Sequence, residues 1–170
     1  MVSLSSQSKK LGEKMSNMQS WKQNVGSIID YAEKIFPEVE IVTRSLSGEI
    51  VKSNYGQVAK RAKKLGSALE SYGIKHGQNV GSLALNTYRN MEMYYGISGM
   101  GAIMHTINFR LHPEQIVYII NHAENRIIFL ETVFAPLLEA IQANCPTVEQ
   151  YVLLCSKEEM PETQLKNAIS

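Results

Sequence analysis

The fold is decided by residues 53–130, which read SNYGQVAKRAKKLGSALESYGIKHGQNVGSLALNTYRNMEMYYGISGMGAIMHTINFRLHPEQIVYIINHAENRIIFL. Stretches with apolar residues at helical spacing alternate here with short apolar runs typical of strands buried on both faces. Strands that alternate with helices pair in parallel through right-handed crossovers. This stretch therefore predicts an α/β fold with a doubly wound, mostly parallel sheet.

Upstream of this stretch, residues 25–36 carry apolar side chains at helical spacing and predict a helix. Two short runs rich in β-branched residues follow, at 38–44 and 49–52. Residues 45–48 join them, and Gly48 can adopt the positive φ that a tight turn needs. The sequence thus predicts an N-terminal hairpin, which suits the edge of a fold better than its centre.

Downstream of the stretch, residues 132–142 predict another helix, with Thr132 as its N-cap. Residues 148–154 form an apolar run that predicts a further strand. The polar segment that follows indicates a connection at the surface. Residues 165–170 are interpreted as the start of a truncated helix.

Length and composition favour one folded unit, because 170 residues are enough for one core and too few for two large domains. We expect three segments along the chain. A flexible N-terminal tail occupies residues 1–20, an α/β subdomain occupies residues 21–155, and the connection with the truncated helix start occupies residues 156–170.

The charge balance argues against some classes of partner. The chain has 17 basic and 16 acidic residues and a net charge of +1, so neither nucleic acid nor an anionic membrane surface is an expected partner. Residues 93–109 carry no charge, but glycines interrupt this run, and a spanning helix needs about 20 mostly apolar residues. We therefore expect a chain that is not transmembrane.

Cysteine usage and the N-terminus indicate the compartment. Cys145 and Cys155 are isolated, which does not support a disulfide scaffold and fits a reducing environment. The N-terminal sequence lacks the apolar core of a secretory signal. We predict a cytoplasmic location; a mitochondrial transit peptide is the weaker alternative, because the segment is rich in Ser and Lys but has no Arg.

The spacing of three glycines is similar to that of a phosphate-binding loop but does not match it. Gly96, Gly99 and Gly101 have the order G-x-x-G-x-G and lie inside and just after a predicted helix, whereas a dinucleotide loop joins a strand to a helix start. We interpret them as residues that let the helix pack closely on the sheet, with Gly101 turning into the next strand. No histidine pair has metal-ligand spacing and no nucleophile elbow is present, so the residues predict no catalytic, cofactor-binding or metal site.

Polar residues follow the predicted strands at the edge where open α/β sheets bind ligands. Asn86, Thr87 and Tyr88 come directly after the strand predicted at residues 80–85. Asn108 and Arg110 come directly after the strand predicted at residues 102–107, and His105 lies within it. We expect Asn108, Arg110 and His105 to be pocket or interdomain contacts. The alternatives are that Asn108 shapes the turn, Arg110 pairs at the surface and His105 is a hydrogen-bonded core residue.

Several short motifs in this order resemble the start of the AMP-forming acyl-CoA synthetases, members of the adenylate-forming enzyme superfamily. The matching residues are Asn54-Tyr55-Gly56-Gln57-Val58, Tyr72-Gly73, Gly77-Gln78-Asn79-Val80, Leu85-Asn86, Gly101-Ala102, Asn108-Phe109-Arg110-Leu111, Glu114 and Tyr118-Ile119-Ile120. The sequence of this region is most similar to those of medium-chain fatty-acid–CoA ligases. Gln78 stands where the family usually has Asp, and Phe109 where it usually has Pro; both departures bear on turn geometry.

The resemblance implies an N-terminal segment of a fatty-acid–CoA ligase. Such a parent enzyme uses Mg²⁺ and ATP to convert a fatty acid to an acyl-adenylate, releases pyrophosphate and passes the acyl group to CoA. The family's Gly-rich loop and its catalytic Lys have no counterpart among these 170 residues, so the fragment is expected to bind neither ATP, Mg²⁺ nor CoA and to be inactive. The expected partners are the fatty acid and CoA in the parent enzyme and the missing C-terminal part of its own chain, with homo-oligomer formation left open.

Two rival interpretations remain. The chain is alternatively a stand-alone α/β binding or interaction module without catalysis. A nucleotide-binding α/β domain of another class is disfavoured because no phosphate-binding loop is present.

Overall fold

The computed structural model describes residues 24–170. Its α-helices are α1 Val25–Ile35, α2 Tyr55–Ser71, α3 Tyr88–Gly99, α4 Pro113–His122 and α5 Ala135–Ile141. Its strands are β1 Glu40–Arg44, β2 Ile50–Asn54, β3 Asn79–Leu83, β4 Ile103–Thr106, β5 Ile127–Leu130, β6 Gln150–Leu153 and β7 Ala168–Ile169. The predicted alternation of strands and helices is confirmed. The predicted tail at residues 1–20 lies outside the described residues.

The main sheet has the order β4-β3-β5-β6-β7, and its neighbouring strands are parallel. From β3 the chain moves through α3 to one side, and from β4 it moves through α4 across β3 to the other side. This reversal confirms the doubly wound sheet. Strands β1 and β2 form a separate antiparallel hairpin, and Gly48 in its turn has a φ of +87°, as the sequence predicts.

The sheet separates two apolar clusters because alternate residues of a strand point to opposite faces. In β5, Ile128 and Leu130 join a cluster with α4 and α5, whereas Ile127 and Phe129 join a cluster that includes residues of α2 and α3. All four side chains are buried. This two-sided burial explains why the run Ile-Ile-Phe-Leu contains no polar residue.

Helix α3 packs tightly on α2 because both helices have glycines at their contact. A Cβ atom added to Gly96 would lie 2.8 Å from the carbonyl oxygen of Ala62, and one added to Gly66 would lie 3.3 Å from the carbonyl oxygen of Gly96. Gly96 therefore serves close packing, as predicted, but the predicted partner is wrong, because Gly96 packs on helix α2 and not on the sheet. Gly101 has a φ of +90° and turns the chain towards β4, as expected.

An ion pair also joins these two helices. Arg61 Nε of α2 lies 2.6 Å from Glu92 Oε1 of α3, and the side-chain exposure is 60% for Arg61 and 8% for Glu92. Burial raises the pKa of Glu92, and the hydrogen bond from Arg61 opposes that rise. The arginine therefore offsets part of the cost of burying this carboxylate.

Two local predictions are wrong. Residues 165–170 do not start a helix, because Ala168 and Ile169 pair with β6 as strand β7. This extended conformation depends on a non-local partner, which local patterning does not reveal. Thr132 does not cap α5; it lies in the 3₁₀ turn Thr132–Phe134 that precedes the helix.

The contact between α2 and α3 predicts unequal effects of the same substitution at two glycines of α3. Gly96→Ala should destabilise the chain by about 2 kcal/mol, because the new methyl group overpacks the contact with Ala62. Gly99→Ala is the matched control, since the nearest atom to a Cβ there is the Cα of Gly26 at 4.0 Å; its effect should stay within about 0.5 kcal/mol. Urea unfolding measures both, and equal destabilisation would contradict this account of the packing.

The ion pair predicts a pH-dependent loss of stability. Arg61→Met should lower the free energy of unfolding by about 2 kcal/mol at neutral pH, a value discounted for the exposure of Arg61, because Glu92 is left buried and unpaired. Without Arg61 the folded-state pKa of Glu92 rises further above its unfolded value. The loss should therefore shrink as the pH falls through that raised pKa and the carboxylate is neutralised.

Lys60→Met is the control for this experiment, because Lys60 is exposed on the same helix. Its effect should be small and should not change as the pH falls from neutral to acidic values. A loss for Arg61→Met that stays constant over this pH range would show that the pairing of Glu92 is unimportant.

Candidate functional site

The topology places a crevice between the carboxyl ends of β3 and β5. These strands are neighbours, but the chain leaves β3 towards one face of the sheet and leaves β5 towards the other. The two connections therefore diverge. Such a switch point is where open α/β sheets form ligand sites.

The crevice encloses about 430 Å³. Its floor is formed by residues that follow β3, β5 and β6, and the hairpin β1–β2 forms its roof. The lining combines hydroxyl groups, carboxylates and one guanidinium with the apolar side chains of Leu46 and Val51. It is a mixed polar site, with an apolar strip contributed by the hairpin.

The hairpin is held over the crevice by a side-chain cap. The backbone N–H of Tyr88 donates to Oγ1 of Thr43 in β1 at 3.1 Å, which satisfies a free donor at the start of α3. Thr87 occupies the N-cap position, yet it makes no side-chain capping bond. Its Oγ1 is buried and has no hydrogen-bond partner among the described residues.

Arg89 connects the start of α3 to the end of β6. Its Nη1 donates to the carbonyl oxygen of Leu154, and its guanidinium lies 5.6 Å from the ring centroid of Tyr88. The side chain is thus fixed along one wall of the crevice. It supplies the positive charge nearest to the carboxylate described next.

Glu131 is the buried carboxylate of the site and follows β5 directly. Its N–H donates to the carbonyl oxygen of Leu83 at 3.1 Å, which fixes the residue between the ends of β3 and β5. The residue is 5% exposed, and Oε1 has no hydrogen-bond partner in the described part of the chain. Burial raises the pKa of Glu131, while Arg89 and the backbone of Leu85 oppose the rise.

The three contact residues predicted from the sequence lie elsewhere. Asn108 and Arg110 follow the edge strand β4 and are exposed. Oδ1 of Asn108 accepts a hydrogen bond from the backbone N–H of Arg110 at 3.0 Å, and Arg110 lies over the ring of Phe109. None of these residues lines the crevice.

His105 occupies a different environment within β4. Its Nδ1 lies 2.7 Å from Nδ2 of Asn125, which is fully buried. No hydrogen bond in the described residues joins His105 to Asn108 or Arg110, so the structure does not gather the three residues into one polar cluster.

Sequence reasoning placed Thr87 at this edge of the sheet but missed Glu131 and Arg89. A signal for Glu131 was present, because a carboxylate directly after four buried apolar residues must lie at the carboxyl end of a central strand. Arg89 gave no such signal, since only the topology brings the loop after β3 next to the end of β6.

Two classes of site are not seen in the part of the chain that the structure describes. Residues 24–170 contain no group of three or more His, Cys, Asp or Glu side chains arranged to hold a metal ion. None of the helices described there is long and apolar enough to cross a membrane.

Several known proteins similar to this chain are CoA ligases. It is 41% identical over 142 residues to a 3-methylmercaptopropionyl-CoA ligase of Ruegeria pomeroyi, covering 84% of this chain and 26% of the relative. It is 36% identical over 146 residues to a medium-chain fatty-acid–CoA ligase of Ectopseudomonas oleovorans, covering 86% of this chain and 27% of that one. The chain therefore spans about a quarter of the length of these relatives, at their N-terminal end.

The fold has solved counterparts of the same kind. The crystal structure of the anthranilate CoA ligase AuaEII in complex with anthranoyl-AMP matches with a TM-score of 0.71 and 26% identity, covering 78% of this chain and 25% of that one. The family model described as AMP-binding enzyme matches residues 31–169. The chain accordingly belongs to the AMP-binding enzyme family.

Proposed function

We propose that this chain is the N-terminal part of an AMP-forming acyl-CoA ligase and supplies an α/β subdomain to its large domain. The observation that carries the proposal is the family match over residues 31–169, together with relatives of which the chain covers about a quarter. In this proposal residues 21–155 are the subdomain and residues 156–170 connect it to the rest of the ligase.

The proposed ligase joins a carboxylic acid to CoA in two steps. A carboxylate oxygen attacks the α-phosphorus of ATP, pyrophosphate leaves, and the thiol of CoA then displaces AMP from the acyl-adenylate. The first step requires neutralisation of the triphosphate charge by Mg²⁺, Lys and backbone N–H groups. We place those groups, and the binding of ATP, Mg²⁺ and CoA, in the rest of the ligase, so residues 1–170 alone are inactive.

The acid is proposed to be a fatty acid of medium length. The medium-chain fatty-acid–CoA ligase of E. oleovorans supports this choice, whereas the relatives from Ruegeria are named for a thioether-containing acid. Both names describe short or medium aliphatic carboxylates, whereas a relative from Thermus thermophilus that is 35% identical over 158 residues is named for long-chain fatty acids. A cytoplasmic location agrees with such a substrate.

Asn108, Arg110 and His105 are proposed contacts to a substrate or to the rest of the ligase. Their support is position, since Asn108 and Arg110 are exposed at the carboxyl end of an edge strand. Phe109 between them stacks on Phe134 with the ring centroids 4.8 Å apart. The loop is thereby held in place while its polar side chains stay accessible.

The decisive experiment compares the 170-residue chain with the product of the extended reading frame. The 170-residue chain should give no ATP–pyrophosphate exchange with any saturated acid. The extended protein should give exchange with medium-chain acids, because it adds the triphosphate-binding groups, and it should consume CoA in the second step.

Two outcomes would contradict different parts of the proposal: the inactivity of the 170-residue chain and its membership in a longer ligase. Exchange by the 170-residue chain above an enzyme-free blank would show that the reacting groups lie within it. An extended frame without a Ser/Thr/Gly-rich loop that carries a Lys would remove the ligase and leave a stand-alone α/β module.

A further inference from the structure

We propose that the groove between helices α2 and α3 and strands β6 and β7 is the docking site for an amphipathic helix with acidic flanks, supplied by the part of the ligase that follows residue 170. This inference deepens the proposed function and rests on it. Three observations carry it: an uncovered face of β6 and β7, the charge of the groove and the position of residue 170.

One face of β6 and β7 lacks the cover that a parallel sheet requires. Tyr151 and Leu153 of β6 are buried in the cluster with α4 and α5. Val152 and the adjoining Leu154 point to the opposite face and are only half-buried. Ile169 of β7 pairs with Val152 and is half-buried as well. Because parallel sheets have helices on both faces, this half of the sheet is incomplete among residues 24–170.

The connection between β6 and β7 does not cover this face. It runs over the other side of the sheet, where Met160 and Leu165 pack in the cluster with α4 and α5. Helices α2 and α3 cover Phe129 of β5 but leave Val152 partly exposed. The result is a groove of about 350 Å³ whose floor includes Met93, Phe129 and Val152.

The rim of the groove is positively charged. Three basic side chains and one carboxylate line it: Arg61, Lys64, Arg89 and Glu92. Glu92 is paired with Arg61, whereas Lys64 and Arg89 form no ion pair in the part of the chain that the structure describes. Arg89 also acts on Glu131 from the side of the crevice, so the uncompensated charge lies mainly on Lys64. An occupant with Asp or Glu beside its apolar face is complementary to this rim.

The position of residue 170 indicates which polypeptide supplies the occupant. Ser170 follows β7 and lines the groove. The matched relatives extend much further, since this chain covers only 26% and 27% of two of them. Most of the proposed ligase therefore follows a residue that already lies in the groove, and a helix from that part reaches Val152 without a long linker.

A second copy of the chain fits the groove less well. A two-fold dimer brings the same surface of both copies together. Such a dimer through this groove would bring the two Lys64 side chains close to each other, and their like charges oppose the contact. The rest of the ligase is therefore the better occupant.

The first test measures how far the groove is covered in the product of the extended reading frame. Val152→Cys places a thiol on the floor, and iodoacetamide labelling followed by mass spectrometry gives its rate of reaction. The rate should be at least about tenfold lower in the extended protein than in the 170-residue chain, because the docked helix shields the thiol. Buried Cys145 is the internal reference, since its slow labelling shows that each protein is folded. Equal rates at residue 152 in the two folded proteins would overturn the proposal.

The second test identifies the occupant and needs only the extended protein. A water-soluble carbodiimide joins an amine to a carboxylate in contact with it, and mass spectrometry locates the joined residues. Lys64 should be joined to an Asp or Glu beyond residue 170, in a segment whose apolar residues have helical spacing. Links from Lys64 only to a second copy, links only within residues 1–170, or no link at all would overturn the proposal.

Two charge variants of the extended Val152→Cys protein test the role of the rim. Lys64→Glu should raise the labelling rate at residue 152 about threefold, because it repels the acidic flank of the docked helix. Lys75→Glu makes the same change of charge at an exposed residue outside the groove and should leave the rate unchanged. Equal effects of the two variants would reduce the effect to net charge and overturn the acidic occupant.

Two further measurements separate this inference from the proposed function. Shielding of residue 152 in the extended protein that appears only after decanoate is added would assign the groove to a small amphiphile and overturn the docked helix. An extended protein that exchanges pyrophosphate but leaves residue 152 open would overturn the docking and leave the ligase standing. One that shields residue 152 without any exchange would support the docking and remove the ligase activity.

Discussion

The burial of β5 on both faces is the constraint on which the rest of the structure depends. Its four residues, Ile127–Leu130, lie between two apolar clusters, and neither face is open to water. A strand of this kind must have neighbours on each side and helices above and below it. The strands β3 and β6 on its two sides, the residues of α2 and α3 on one face and those of α4 and α5 on the other meet this requirement.

The crevice is a consequence of the same constraint. Helices on both faces require connections that diverge, and β3 and β5 are the adjacent strands whose connections do so. The residue that follows β5 is fixed at this point by its backbone bond to Leu83. Because that residue is Glu131, the divergence encloses a carboxylate, and the hairpin roof shields it further from water.

Sequence reasoning predicts the architecture well and the site poorly, for one physical reason. Helix spacing, the Gly48 turn and the run Ile127–Leu130 are local patterns, so the elements and the class of sheet could be inferred from them. Strand β7 and the contact of Gly96 with Ala62 depend on residues far apart in the chain, and both were misassigned. The site was predicted least well, because Thr87, Arg89 and Glu131 come together only through the strand order.

The register of the central pair has a consequence for the order in which the chain assembles. Val80 pairs with Ile127, 47 positions later (127 − 80), whereas its partner on the other side, Met104, follows after 24 positions (104 − 80). Closing the longer loop carries the larger entropic cost, so contacts of this separation form slowly. During synthesis on the ribosome, one edge of β3 therefore stays unpaired until β5 has emerged. A nascent chain in which β3 has formed before β5 emerges would expose an open apolar edge, the state in which chaperone capture and aggregation compete with folding.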